Sequence, residues 1–164
     1  LAGEKAVQEI GQDYFIFRTS WLYSTRRDCF VTKVLKWSRT KAELKIVTDQ
    51  IGSPTWARTL ADTTAEAIQG MHSKGRSWVR QKSGIYHLAG NGSASRFEWA
   101  NKILEFDPRK DEHVLTRIQE AKSQDFKNGA QRPNFSALDC ALFQNTFDLF
   151  YTDWLMDLKQ ALTQ

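Results

Sequence analysis

The sequence has few of the residues that bind metals or form disulfides. Its 164 residues include only two cysteines and three histidines, all at well separated positions. Neither cysteine has a second Cys or His at the spacing of a zinc site, and no two histidines share one helical face. We therefore expect no protein-bound metal and no disulfide, with Cys29 and Cys140 as reduced, partly buried thiols.

Long apolar segments and phosphate-binding glycine motifs are also missing. No run approaches the roughly 20 apolar residues of a membrane-spanning helix, and the first residues lack a signal-peptide pattern. We therefore expect a soluble cytoplasmic protein with no membrane partner. The chain contains no GxGxxG or GxxGxxG segment, and none of its four tyrosines is followed by Lys four positions later. The sequence therefore lacks the main phosphate-binding segment of a dinucleotide site.

What is present is the composition of an ordinary globular protein, with 41% apolar and 26% charged residues. Helix-like and strand-like patterns alternate, which predicts an α/β fold. Residues 1–10 are compatible with a helix. Residues 14–23 open as a continuous apolar run, which is typical of a strand buried on both faces. Such a strand is central to a parallel sheet, yet few other segments have its character, so the sheet is expected to be incomplete.

Further elements follow along the chain. A helix is predicted after Asp28 as N-cap, a strand at 44–48, and a helix from near Thr59 with a buried stripe that includes Ile68. A short strand follows at 84–90, and Ser95 with Glu98 forms a capping box for another helix. The remaining predictions are an edge strand at 113–118, a polar loop at 120–134, and two final helices at 140–147 and 153–162.

The net charge of +4 comes largely from residues 26–45, where seven basic residues face two acidic ones. Three interpretations are open. The segment is a solvated helix face, a nucleic-acid contact, or a region that attracts a small anionic ligand such as a diphosphate. No nucleic-acid-binding module or alternation of aromatic and basic residues is present, so nucleic acid is not an expected partner.

Five segments together resemble the dTDP-4-dehydrorhamnose reductases, a family with the extended short-chain dehydrogenase fold. Their order and spacing match over nearly the whole chain, whereas any single segment would be weak. The segments are Leu-Ala-Gly-Glu-Lys at 1–5, Phe-Arg-Thr-Ser-Trp-Leu-Tyr at 17–23, Asp-Gln-Ile-Gly-Ser-Pro-Thr at 49–55, Gly-Ile-Tyr-His-Leu at 84–88 and Arg-Pro-Asn-Phe-Ser-Ala-Leu-Asp at 132–139.

The resemblance implies the C-terminal part of a Rossmann-like NAD(P)-binding fold plus a small α/β substrate-binding domain. Residues 1–28 would belong to the former, and residues 29–164 to a sugar-nucleotide-binding region interleaved with Rossmann elements around 56–90. The implied activity is the NADPH-dependent reduction of dTDP-4-dehydro-L-rhamnose to dTDP-L-rhamnose. In this family the catalytic Tyr-x-x-x-Lys pair precedes the segment that matches Leu1. The chain would therefore hold no catalytic residue, need the N-terminal half as a partner, and be inactive alone.

The same resemblance implies contacts at the end of the first strand. Thr19 and Leu22 would line the cofactor, and Ser20 and Trp21 would touch the substrate. An indole suits the apolar face of a deoxysugar, although a core Trp at a strand end is the alternative.

Three more substrate contacts are implied further along. Gln50 and Thr55 would bond the thymine or deoxyribose, and the Arg132 guanidinium would grip phosphate. Some family members are dimers bridged by Mg²⁺, but Arg58 stands where a carboxylate would be expected, so no metal is predicted.

Two other readings have the same fold. The chain could belong to a non-catalytic regulatory or binding protein, similar to the regulatory subunit of methionine adenosyltransferase, or to an epimerase or dehydratase. Residues 18–21 resemble the reductases more closely. In any of these cases the flank of the first strand would present unpaired backbone groups, and self-association of the isolated chain is expected.

Overall fold

The computed structural model describes residues 1–126 and 131–164, except for the side chain of Met71. The chain alternates helices with short strands, and two single-turn 3-10 helices lie at Lys110–Glu112 and Ser123–Asp125. The helices are α1 (Ala2–Ile10), α2 (Phe30–Ser38), α3 (Ala57–Gln81), α4 (Arg96–Phe106), α5 (Ala141–Phe147) and α6 (Trp154–Thr163). In the part of the chain that the structure describes, no helix has the length and apolar character needed to cross a bilayer.

The strands form small, mostly parallel groups. They are β1 (Phe15–Arg18), β2 (Leu22–Tyr23), β3 (Glu43–Val47), β4 (Ile51–Gly52), β5 (Thr55–Trp56), β6 (Gly84–His87), β7 (Ala94–Ser95), β8 (Arg117–Ala121) and β9 (Phe135–Ser136). β1 pairs with β6, β2 with β5 and β3 with β8, all in parallel, while β4 lies between antiparallel β7 and parallel β9. Parallel pairs joined by helical crossovers define the α/β class that the sequence predicts.

The first strand is shorter and less buried than predicted. β1 ends at Arg18, and Trp21 then adopts a positive φ of 39°, which separates β1 from β2. Phe15, Ile16 and Phe17 are only half-buried. The prediction of a strand covered on both faces is therefore wrong for this chain, because β1 pairs with β6 alone among the described strands.

The core has two parts. The larger one packs α2, α4 and α6 around the short strands, and the smaller one is an aromatic cluster between β6 and α5. In the larger part, Val31, Val34, Ile103 and Leu158 are fully shielded from solvent and Trp99 is 1% exposed. In the smaller part, the rings of Phe15 and Phe147 meet edge to face at 5.2 Å.

Several element boundaries differ from the sequence-based predictions. The N-cap of α2 is Cys29, whose backbone N–H donates to Thr32 Oγ1 at 2.9 Å. Asp28, the predicted cap, is instead exposed and pairs with Lys33 at 3.3 Å. The predicted stripe of α3 is only partly buried: Ala67 is 2% exposed, whereas Ile68 is 41% exposed.

The region after α4 is also shifted. Strand β8 occupies Arg117–Ala121 rather than residues 113–118. Within the predicted polar loop 120–134, the structure has the end of β8 and a 3-10 turn, and residues 127–130 lie outside the described residues. By contrast, the capping box of α4 is confirmed: Glu98 N–H donates to Ser95 Oγ at 3.1 Å, and Ser95 N–H donates to Glu98 Oε2 at 2.7 Å.

Candidate functional site

An open cleft of about 560 Å³ lies between α2, the end of β3 and the N-terminus of α4. Its lining combines aromatic rings with basic side chains and contains no carboxylate among the described residues. The lining residues are Phe30, Lys33, Trp37, Lys45, Ile46, Val47, Gln50, Arg96, Phe126 and Arg132. We call this space the basic cleft. Such a surface suits an anionic ligand that also carries a flat ring.

Stacked side chains form one wall of the basic cleft. The rings of Trp21 and Trp99 stack with centroids 5.5 Å apart and planes 17° apart. Arg96 lies over Trp21, with its Cζ 3.7 Å from the ring centroid. Gly52 supports the stack from behind, since a Cβ there would overlap the Trp21 indole. Trp21 itself therefore contacts the cleft through Arg96 rather than lining it.

Among the described residues, four cationic side chains line the basic cleft: Lys33, Lys45, Arg96 and Arg132. Burial, together with the nearby charge of Arg132, lowers the pKa of Arg96 to about 10. The guanidinium still carries its charge at neutral pH. Keeping this charged guanidinium partly away from water costs free energy.

The floor of the basic cleft is a hydrogen-bonded loop. The Gln50 side chain donates to Ser123 Oγ at 3.0 Å, and the Gln50 carbonyl accepts from Arg96 N–H at 3.0 Å. Asp49 accepts from Ser123 N–H at 2.9 Å, and these bonds from Ser123 hold the pKa of Asp49 below its usual range. Gln50 and Arg132 also share a neighbouring cavity of about 410 Å³. The fold thus brings these two predicted residues together.

Two other predicted substrate contacts are used within the fold. Ser20 Oγ donates to the carbonyl of Ser136 at 2.9 Å. Thr55 is fully buried, and its hydroxyl donates to the Ser53 carbonyl and accepts from Gly90 N–H, both at 3.1 Å. Thr55 therefore has no exposed atom for a ligand, and its role here is to join β5 to the loop after β6.

The predicted cofactor contacts lie outside the basic cleft. Thr19 is exposed just past the end of β1, and Leu22 is 51% exposed. The adjacent Arg18 pairs with Glu4 at 2.6 Å, which ties β1 to α1. In open α/β sheets, ligands bind beyond the carboxyl ends of parallel strands, and Thr19 occupies such a position.

Sequence reasoning missed several lining residues. Lys33 and Lys45 belong to the basic stretch for which a small anion was one of three interpretations, so a signal for them was present. Arg96 gave no local signal, because its contact with Trp21 joins residues 75 positions apart. No group of three or more His, Cys, Asp or Glu side chains is arranged to hold a metal within the described ranges.

Fold and cleft together define an α/β domain with an open cleft lined by aromatic and basic side chains. The chain belongs to the RmlD substrate binding domain family, whose model matches residues 1–164.

Individual relatives agree with this assignment. A dTDP-4-dehydrorhamnose reductase from Escherichia coli K12 is 34% identical over 166 residues, covering 100% of this chain and 54% of the relative. The structure of a dTDP-4-dehydrorhamnose reductase from Clostridium acetobutylicum superposes with a TM-score of 0.83 at 25% identity, over 98% of this chain and 52% of that one. A Bacillus anthracis reductase in complex with NADP gives a TM-score of 0.81 at 30% identity, over 99% and 52%.

The family resemblance and the predicted fold class are thereby confirmed. The chain spans about half the length of the curated relatives it matches.

Proposed function

We propose that this chain is the sugar-nucleotide-binding part of an NADPH-dependent reductase that converts dTDP-4-dehydro-L-rhamnose to dTDP-L-rhamnose. The observation that carries this proposal is the basic cleft, in a chain whose relatives are named dTDP-4-dehydrorhamnose reductases. A dTDP-sugar has a flat base, two phosphates and an uncharged deoxysugar. The cleft offers rings, cations and amide groups that match these parts.

Each chemical part of the ligand has a suitable partner in the basic cleft. Arg132 is exposed and can offer two parallel N–H groups to a phosphate. The Gln50 amide has both donor and acceptor atoms, which suits the carbonyl and N–H edge of thymine. Phe30, Trp37 and Phe126 offer ring faces for the base or the apolar side of the sugar.

The reduction itself needs groups beyond the basic cleft. NADPH, when bound, supplies hydride for the C4 carbonyl of the sugar. Thr19 and Leu22 are exposed past the end of β1 and fit a contact with that cofactor. We propose that the proton-donating Tyr and its Lys come from the half that the relatives carry outside the match. This chain would then bind and orient the sugar nucleotide, and would be inactive alone.

The surface of α1 supports an N-terminal half as partner. No residue of α1 is buried, and the apolar side chains of Leu1, Val7 and Ile10 are 82%, 43% and 86% exposed. An amphipathic helix normally covers such residues with a neighbour. We propose that the preceding half packs here, that the isolated chain self-associates through the same surface, and that the complete enzyme works in the cytoplasm.

A calorimetric titration with dTDP tests the proposed ligand. We expect the 164-residue chain to bind dTDP, and Arg132→Ala to weaken binding by about tenfold, the value of one charge-assisted contact. Arg109→Ala is the matched control, because Arg109 lies outside the basic cleft and pairs with Glu112 at 3.5 Å. Absence of dTDP binding, or equal affinities in all three proteins, would overturn the proposal.

A further inference from the structure

Arg96 holds a positive charge in the cleft wall without an acidic partner among the described residues. Its backbone N–H donates a hydrogen bond to the Gln50 carbonyl. Glu98, two residues further along α4, binds the Ser95 backbone N–H at 2.7 Å instead. A partly buried guanidinium is normally paired with a carboxylate or phosphate, because removing it from water is costly.

Three aromatic rings surround this guanidinium. Arg96 Cζ lies 3.7 Å from the Trp21 centroid, 4.8 Å from that of Phe30 and 5.3 Å from that of Trp99. Cation–π contacts recover part of the lost hydration and hold the planar group in one orientation. The aromatic rings offer no hydrogen-bond acceptor in the plane of the guanidinium. Its N–H groups therefore stay available toward the basic cleft that Arg96 lines.

Arg132 is a second arginine at the same cleft, which Lys33 and Lys45 also line. Arg96 and Arg132 are close enough for the charge of Arg132 to disfavour that of Arg96. Both side chains line the basic cleft, and no carboxylate stands among its described lining residues. An anion bound there would relieve the repulsion between the two arginines and neutralise charge of the cleft lining.

We propose that Arg96 is the residue by which the cleft selects a nucleoside diphosphate over the uncharged nucleoside. The diphosphate serves as the acidic partner that the described part of the chain does not provide for Arg96. The inference rests on the proposed function, since it takes the ligand to be a dTDP-sugar. The two arginines would have different roles. Arg96 would bind the diphosphate from a fixed position stacked on Trp21, whereas Arg132 would bind it from the exposed rim of the cleft.

The test compares thymidine, dTMP and dTDP as ligands for the wild type, Arg96→Met and Arg96→Lys. Met keeps an apolar chain against Trp21 but removes the charge, so the preference for dTDP over thymidine should fall by about tenfold. Thymidine affinity itself should stay within about twofold. Lys keeps the charge without the planar group, and its preference should fall between those of the other two proteins. Arg109→Met should match the wild type.

A second measurement does not depend on the variants being stable. The Arg96 Nε–H resonance, assigned by its loss in Arg96→Lys or by backbone connectivity in the wild type, should shift on addition of dTDP and not of thymidine. A wild type that binds dTDP without this shift, or that binds thymidine and dTDP equally, overturns the role of Arg96 and leaves a nucleotide site standing. A wild type that binds none of the three ligands overturns the proposed function as well.

Discussion

Asp157 is a buried carboxylate whose pKa is raised rather than lowered. It lies in α6, is 2% exposed, and accepts from Thr59 Oγ1 at 2.9 Å. Its second oxygen and the hydroxyls of Tyr23 and Tyr151 have no hydrogen-bond partner among the described residues. Burial raises the pKa of Asp157 to about 6, and burial with the charge of Asp157 raises the pKa of both tyrosines.

The raised pKa of Asp157 predicts that the stability of the protein depends on pH. The folded pKa is above the unfolded value of about 3.9, so the folded state binds the extra proton. Its contribution is therefore present below about pH 4 and is lost as the pH rises through about 6. Asp157→Asn should remove up to about 3 kcal/mol of this loss, since one pKa unit is about 1.4 kcal/mol.

Denaturant unfolding at about pH 4 and 7 measures the effect. Asp111→Asn is the control, because Asp111 is exposed in a 3-10 turn. The same pH dependence in the wild type and in Asp157→Asn would contradict the assignment. Lowered carboxylate pKa values, such as that of Asp49, act in the opposite direction, so the comparison is made between variants rather than on the wild type alone.

The close contact between Gly52 and Trp21 gives a second prediction for a single residue. A Cβ at this position would overlap the Trp21 indole, whereas a Cβ at Gly3 would meet nothing within 4 Å. Gly52→Ala should therefore destabilise the protein by about 2 kcal/mol and weaken dTDP binding by displacing the Trp21–Arg96 stack. Gly3→Ala, within α1, should be neutral or stabilising by up to about 1 kcal/mol. Thermal unfolding and dTDP titration of both variants distinguish them; similar behaviour would argue against the packing described for Trp21.

Among the elements, features that depend on neighbouring residues could be predicted from the sequence, whereas features that depend on tertiary contacts could not. The capping box of α4 depends on Ser95 and Glu98, three positions apart, and its prediction is confirmed. Strand β8 lies several residues later than the strand predicted at 113–118, because its outer positions are polar and its register is set by pairing with β3, where Leu44 lies beside Ile118. The Arg96–Trp21 contact depends on the fold and no local pattern indicates it.

The cap of α4 gives a prediction at this scale. The helix places Trp99, Ala100 and Ile103 in the core directly behind the basic cleft. Ser95→Ala removes the side-chain acceptor for Glu98 N–H and should lower the free energy of unfolding by about 1 kcal/mol. Ser93→Ala, at an exposed position two residues earlier, should change it by less than about 0.5 kcal/mol. Equal denaturation midpoints for the two variants would rule out a stabilising cap.

At the scale of the molecule, α1 and β1 have few packing neighbours among the described residues. α1 buries none of its residues, and β1 has one strand neighbour among those described. The segment that reads most strongly as a central strand is therefore only half-buried. Its apolar run is typical of a strand with more neighbours than β6, which is the strand that pairs with it among the described residues. Domain division at residue 28 stays a prediction.

This surface predicts self-association of the isolated chain. Sedimentation velocity should show a mean mass that rises with concentration, because exposed apolar side chains and a free strand edge favour contact between copies. Ile10→Lys should reduce the association while changing stability by less than about 0.5 kcal/mol, since Ile10 is 86% exposed. A monomer at all concentrations would contradict this view of α1 and β1.

The basic cleft is the proposed binding site of the sugar nucleotide. A crystal structure of the chain with dTDP-L-rhamnose tests it most directly. We expect the diphosphate between Arg96 and Arg132, with the thymine within hydrogen-bond reach of Gln50. A nucleotide bound elsewhere on the molecule, with these three side chains free of contact, would contradict it.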